Sequence, residues 1–351
     1  MEPGVSSCIT QGNNKDDSIT NIDFAGGSHL KKLSVILLEL ILCASSVVSC
    51  AAPSNNTGPV TMVEDAGWSS QQYPVMTHYS AVWGTSSSDV FAVGEFGVII
   101  HYTGRYWSRM DSGTISNLTS IWGASATDVF AVGESGTILH YNGKQWSPMQ
   151  SKTSGLLGRV WGSSSSDIYA IVNGMSLEHY DGKTWNAMPI IVPGNPSVFV
   201  SNIWGTSASD IFIVGSDGMV LHYDGNAWSR MNSNTEIKLL GVWGDSPTDV
   251  FAVGNEGVII HFDGSAWSSM NSGTASMLMS VWGSSSSDVF AVGVRYDGSG
   301  NDGIVHYDGH TWNDMTDDME IIYIMNGVWG SSRSDVFAVG RAGVLLHYPG
   351  Y

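Results

Sequence analysis

Cysteine is missing from everything after residue 50: Cys8, Cys43 and Cys50 are the only three in the chain. The long C-terminal part therefore holds no disulfide and no thiolate metal site. A large exported domain does without disulfides when its core is big enough. Charge is scarce as well, at 13% of residues, and the basic share is smallest, with 14 Lys and Arg against 32 Asp and Glu. Residues 51–351 carry 27 carboxylates and 11 Lys and Arg, a net of −16. That sign opposes DNA, RNA and heparin as partners. There is no nucleophile elbow, no His-Glu-x-x-His and no phosphate loop, so the familiar hydrolase and nucleotide chemistries have no local signature.

What the chain has instead is glycine (42), tryptophan (14) and tyrosine (13) within 351 residues. Few charges, many aromatics and frequent Gly-Ser turns indicate an all-β protein with tight hairpins. Trp-Gly recurs at Trp83, Trp122, Trp161, Trp204, Trp243, Trp282 and Trp329, at spacings of 39, 39, 43, 39, 39 and 47. Six residues after each stands an aspartate: Asp89, Asp128, Asp167, Asp210, Asp249, Asp288 and Asp335. The unit LTSIWGASATDVFAVGESGTILHYNGKQWSPMQS at 118–151 shows four short apolar segments separated by turn signals. Four antiparallel strands in about 40 residues is one propeller blade. The expected fold is an all-β, seven-bladed β-propeller of four-stranded blades.

The two ends complete one another. The last unit stops at His347-Tyr348-Pro349-Gly350-Tyr351, after its third strand, and Ala66-Gly67-Trp68-Ser69-Ser70 matches the missing fourth. An N-terminal outer strand is thus expected to join the C-terminal blade and close the ring, which removes an unpaired edge. The WG…DVFAVG…HYDG..W repeat, over residues 66–351, resembles those of exported bacterial propellers of the kelch, Asp-box and photosystem-assembly-factor-like groups. Tyr-Asp followed by Trp is similar to kelch but lacks its double glycine. DGKTW at 181–185 resembles an Asp-box without its spacer. The resemblance implies fold more than activity.

The front of the chain reads as an address. Residues 1–29 are taken as a non-native or disordered extension and residues 30–50 as a signal peptide. Its Lys31-Lys32 lead an apolar stretch into Val47-Val48-Ser49-Cys50. This resembles the lipobox of bacterial lipoproteins, which implies acylation of Cys50 and an extracytoplasmic protein anchored by lipid to a bacterial membrane. Glu39 interrupts the apolar run, which is short of the roughly 20 residues a spanning helix needs. Residues 51–65 follow as a flexible polar tether.

Most repeated residues read as structural. Seven equivalent histidines, His101 to His347, are spread once per blade and are too far apart to share an ion; a hydrogen bond within each blade, to the Trp+6 aspartate or to a turn carbonyl, is their expected role. The repeat tryptophans supply buried area between blades and an indole N–H that needs a partner. Function is sought where the repeat breaks. The unit at Trp282 carries six extra residues around VRYDGSGNDG at 294–303, and the links after Trp185 and Trp312 are also long. Second-to-third-strand turns and blade-to-blade links should share one face. On it Glu95 and Glu134 form part of an acidic rim, and Arg295 and Arg341 a basic sector. Arg295, Tyr296, Asp297, Asn301, Asp302, Arg341, Glu95 and Glu134 are the candidate ligand-binding residues. Asp297, Ser299, Asn301 and Asp302 faintly resemble a calcium loop without its order or its bidentate Glu, so no cofactor is expected. The expected function is a non-catalytic, monomeric, lipid-anchored propeller binding a protein or glycan, with no nucleic-acid partner. Two alternatives stand beside it: a scaffold for assembling a membrane or surface complex, and a glycosidase, sialidase-like or lyase enzyme. A sialidase-like site needs several converging arginines, and the repeat region has seven.

Overall fold

A computed structural model of the chain describes residues 64–65, 67–71, 75–192, 199–294, 303–316 and 324–350. Seven antiparallel sheets follow in chain order. Blade 1 is Tyr79–Ser86, Asp89–Gly94, Ile99–Tyr102 and Trp107–Met110. Blades 2 to 6 repeat this plan from first strands Leu118–Ser125, Leu157–Ser164, Val200–Ser207, Leu239–Ser246 and Met277–Ser285. Blade 7 is built from both ends: Met325–Ser332, Asp335–Gly340 and Leu345–Tyr348 from the C-terminal part, then Trp68–Ser70 beside them. Ser69 pairs with His347 and Ser70 with Leu346. A two-residue strand, Glu64–Asp65, adds to that edge. The fold is the seven-bladed propeller read from the repeat, closed in the manner expected.

First strands of neighbouring blades contact one another around the circle, blade 7 with blade 1 included, so they wall the ring's centre. The Trp-Gly dipeptide explains how they do so. The ring of Trp83 lies over Gly123 of the next blade, where an added Cβ would sit 2.5 Å from Cη2. The same contact runs through every blade, and Trp329 over Gly84, at 2.8 Å, closes the circle. Any side chain at these glycines would displace an indole.

Along each blade the register aligns Trp83 with Phe91, Phe91 with His101 and His101 with Ser108 on one face. The phenylalanine is fully buried in each blade that has it, Tyr169 replaces it in blade 3, and the imidazole stacks on that ring at 4.0 to 4.6 Å. On the opposite face Tyr and the outer-strand Trp cover the phenylalanine of the preceding blade, as Tyr141 and Trp146 cover Phe91. The deeply buried tryptophans are therefore those of the outer strands (Trp68, Trp107, Trp146, Trp185, Trp228, Trp267, Trp312), while all the Trp-Gly indoles except that of Trp161 are only half-buried. Both sets pack between blades, the Trp-Gly indoles over the next blade's glycine and the outer-strand indoles more deeply. The outer-strand indole N–H groups find no hydrogen-bond acceptor. For Trp68, Trp107, Trp146, Trp267 and Trp312 the rings meet the neighbouring blade's phenylalanine in a T-shape at 6.0 to 6.5 Å. An aromatic face is a weak acceptor for such a donor.

In blades 3 to 6 the third-to-fourth-strand turns are closed by aspartate side chains. Asp263 Oδ1 accepts from Ser265 N, Ala266 N and the Ser265 hydroxyl at 2.6 to 2.9 Å. The Ser265 hydroxyl and these N–H groups hold its carboxyl at a pKa of about 2. Asp181, Asp224 and Asp308 are lowered chiefly by the same backbone bonds. A depressed folded-state pKa contributes stability that is present above the unfolded value of about 3.9 and lost as pH falls through the folded one. We expect the thermal midpoint to fall between about pH 4 and pH 2, and Asp263→Asn to flatten part of that fall. Melting curves of the two proteins across this window check it; identical pH profiles would refute the assignment.

Candidate functional site

The second-to-third-strand turns bond directly to the links between blades, so both occupy one end of the blades. Glu95 N donates to His78 O, Gly136 N to Gly155 O, Ser216 N to Phe199 O, Gly257 N to Ser276 O and Gly343 N to Thr77 O, all at 2.6 to 3.1 Å. Glu95, Glu134 and Arg341 stand on this face in three consecutive blades, 1, 2 and 7. Glu95 accepts from His78 Nδ1 at 3.0 Å; Glu134 and Arg341 are exposed. Arg295, Tyr296, Asp297, Asn301 and Asp302, with the calcium-loop reading, lie outside the described residues, as does Cys50. The strand ends on either side of 295–302 meet through Gly293 N to Gly303 O at 2.8 Å, at the same end of blade 6.

The seven repeat aspartates and histidines pair within their own blades. His Nε2 meets Asp Oδ1 at 2.6 to 2.8 Å in every case. In blades 1, 3, 4, 6 and 7 Asp Oδ2 accepts a hydroxyl from the preceding turn, for example that of Thr206 at 2.5 Å. No three His, Cys, Asp or Glu side chains among the described residues gather as a metal site. The described arginines do not converge either. Arg105 and Arg109 are exposed on blade 1, Arg230 on blade 4, Arg159 lies on the first strand of blade 3, and Arg333 and Arg341 occupy opposite ends of blade 7. A cavity of about 430 Å³ at the end away from the turn-and-link face is lined by Asp288, Phe290, His306, Arg333 and Tyr348. Its Asp288 and His306 are already bonded to one another.

The turn-and-link face carries a feature that the repeat pattern did not reveal. Eight large hydrophobic side chains are exposed among the described residues, and seven belong to these turns and links: Met76, Phe96, Ile115, Leu156, Met175, Ile191 and Phe199. They run from the link entering blade 1 to the link entering blade 4. The eighth, Tyr106, is at the other end of blade 1. Ile115 is 88% exposed and Phe96 68%. On blades 4, 5 and 7 the matching turns present Asp217, Glu256 and Arg341 instead.

Phe96 is also conformationally costly. Its φ of 57° is left-handed, where a bulky residue is strained by roughly 1 kcal/mol or more. Ser135, Asn173, Asp217, Glu256 and Ala342 hold the same conformation in other blades. A signal was present in the sequence at one position: aligned unit by unit, Phe96 falls in a column of small or polar residues.

Fold and face together define a closed seven-bladed propeller with an asymmetric, partly apolar end. Solved structures of the same architecture align over most of the chain. YCF48 bound to D1 peptide is 17% identical, with 81% of this chain and 97% of that one covered and a TM-score of 0.66. YCF48 from Cyanidioschyzon merolae is 13% identical over 80% and 98%, with a TM-score of 0.65. U3-55K is 12% identical over 81% and 98%, also at 0.65. No family model and no curated protein matches the chain.

Proposed function

We propose that this chain is a non-catalytic docking module that holds a protein partner on the apolar sector of its turn-and-link face. The observation that carries this reading is the concentration of seven of the eight exposed large hydrophobics among the described residues in one arc from blade 1 to the entry of blade 4. Contiguous exposed apolar surface on a soluble domain marks an interaction site. A strained Phe96 at its edge points the same way, because strain persists where function or surrounding structure requires it. The YCF48 propeller solved with a D1 peptide is a case of this architecture holding a polypeptide. Aliphatic and methionine side chains suit a protein surface better than a glycan, whose many hydroxyls need polar partners.

The assembly-scaffold reading is the same site used for a multi-protein partner. In our proposal Cys50 is acylated and holds the module at an extracytoplasmic membrane face. Cys50→Ala is expected to move the native protein from the membrane to the soluble fraction; continued membrane association would remove the lipid anchor from the proposal. The docking face itself is tested by cross-linking and capture of the native chain. Wild type is compared with Phe96→Asp/Ile115→Asp. Loss of a stoichiometric partner in the variant supports the site, and an unchanged partner set refutes it.

A further inference from the structure

The first strands that wall the ring's centre each carry an equivalent residue two positions in. In six blades it is uncharged: Ala81, Ser120, Asn202, Gly241, Ser280 and Gly327. In blade 3 it is Arg159. The polar residues at this level are engaged with backbone. Asn202 Nδ2 donates to Leu240 O at 3.1 Å, and its Oδ1 accepts from Ile203 N at 2.8 Å. Ser120 Oγ accepts from Val160 N at 3.1 Å, and Ser280 Oγ from Val328 N at 3.3 Å.

Arg159 is not satisfied in the same way. Among the described residues only Nη1 is engaged, donating to Gly158 O at 3.2 Å and Thr119 O at 3.4 Å. No carboxylate of the described residues pairs with it. The buried carboxylate of its own blade, Glu178, is occupied elsewhere by the Ser151 hydroxyl and Lys152 N, at 2.9 to 3.0 Å. Burial lowers the Arg159 pKa, while the side chain keeps partial solvent access and no carboxylate of the described residues stands beside it. Such a cation is costly unless an anion or water completes it. The unengaged Nε and Nη2 lie on one edge of the guanidinium, the edge that meets a carboxylate through two parallel hydrogen bonds.

We infer that Arg159 anchors an oxyanion site at the ring's centre, and that its ligand is a carboxylate, either a free small organic acid or one carried by a docked polypeptide. The acidic body, at −16 over residues 51–351, repels anions in general, so selectivity rests on this one fork. Thr119 O would keep a donor in Arg159→Gln, which removes the charge but not the reach to the backbone. Arg159→Lys keeps the charge and loses the fork.

The test is thermal melting of the full chain titrated with sodium acetate at constant ionic strength. At a hundredfold excess over Kd, wild type is expected to rise by about 4 °C, Arg159→Lys by less and Arg159→Gln not at all. Equal shifts in wild type and Arg159→Gln, or none in either, overturn the site. Should Arg159→Gln fail to fold, the Arg159 Nε–H resonance of wild type decides the matter: a saturable change with acetate supports the site and an unmoved resonance overturns it. Once acetate binding is seen, adding acetate to the captured partner complex separates the two sources. Release of the partner identifies a carboxylate that the partner carries, and an intact complex identifies a free acid.

Discussion

Trp68→Ala is expected to destabilise the propeller by about 3–5 kcal/mol, which lowers the thermal midpoint of a domain this size by roughly 5–8 °C. The indole is 1% exposed. It packs against Phe290 of blade 6 at 6.3 Å and Tyr348 of its own blade at 5.3 Å. The strand it belongs to is the one outer strand that no hairpin joins to its neighbour. It is held by pairing of Ser69 and Ser70 with Leu345–Tyr348, by Ser69 Oγ to His347 O at 3.1 Å and by Gln71 N to Leu345 O at 2.9 Å. Losing the indole therefore opens a cavity and also weakens the hold on the strand that completes blade 7. Trp267→Ala is the matched control, since Trp267 is 2% exposed in the equivalent place on blade 5 but follows its third strand through a continuous turn. Urea melts and amide exchange distinguish them. Faster exchange across Leu345–Tyr348 in Trp68→Ala alone is the expected result. Equal losses with unchanged exchange there would mean the closing strand is not held by this residue.

Phe96→Asp combined with Ile115→Asp is expected to weaken partner binding at least 100-fold while leaving the fold intact. Truncating one buried anchor of an interface costs about 2 kcal/mol or more, and two independent anchors exceed that. The new carboxylates also join Glu95, Asp111 and Glu134 on an already acidic rim, so a partner matched to apolar surface meets charge instead. Stability should hardly change, because both side chains are exposed. At Phe96 it should improve slightly: aspartate tolerates the left-handed conformation better than phenylalanine, and Asp217 already occupies the matching place in blade 4. Tyr106→Asp, at the opposite end of blade 1, is the control and should leave binding as it is. Quantitative capture against concentration measures all three. A partner that survives the double variant, or is lost with Tyr106→Asp, would place docking elsewhere.

The sequence and the structure divide this protein between them in a definite way. Blade number, strand order and ring closure were legible because each depends on local spacing. Trp-Gly marks every first strand, the Trp+6 aspartate opens every second, and Gly-Trp-Ser at 67–69 supplies the strand absent after Tyr348. A bond from each histidine within its own blade was legible too, since the residue recurs once per unit; that its partner is the Trp+6 aspartate rather than a turn carbonyl came from the structure. The candidate face could be identified, but not its apolar arc. Sequence irregularity drew attention to 294–303 on blade 6, whereas exposure singled out Met76, Phe96, Ile115 and their neighbours from blade 1 to the entry of blade 4.

The reason is physical. A repeat specifies what each blade does for itself, because hairpin register and a buried phenylalanine are decided within about 40 residues. Whether an apolar side chain is covered depends on the blade beside it. Phe91 and Phe96 differ by five positions, yet one is buried under Tyr141 and Trp146 and the other stands in solvent. The same holds for charge. Sequence marks Arg159 as a departure from its column, but only the packed ring gives the neighbouring Glu178 its donors and leaves Arg159 without a counter-ion among the described residues. The amino-acid sequence alone determined a closed seven-bladed ring; tertiary packing decided which end is apolar and where a cation stands unpaired, because both are properties of neighbouring blades.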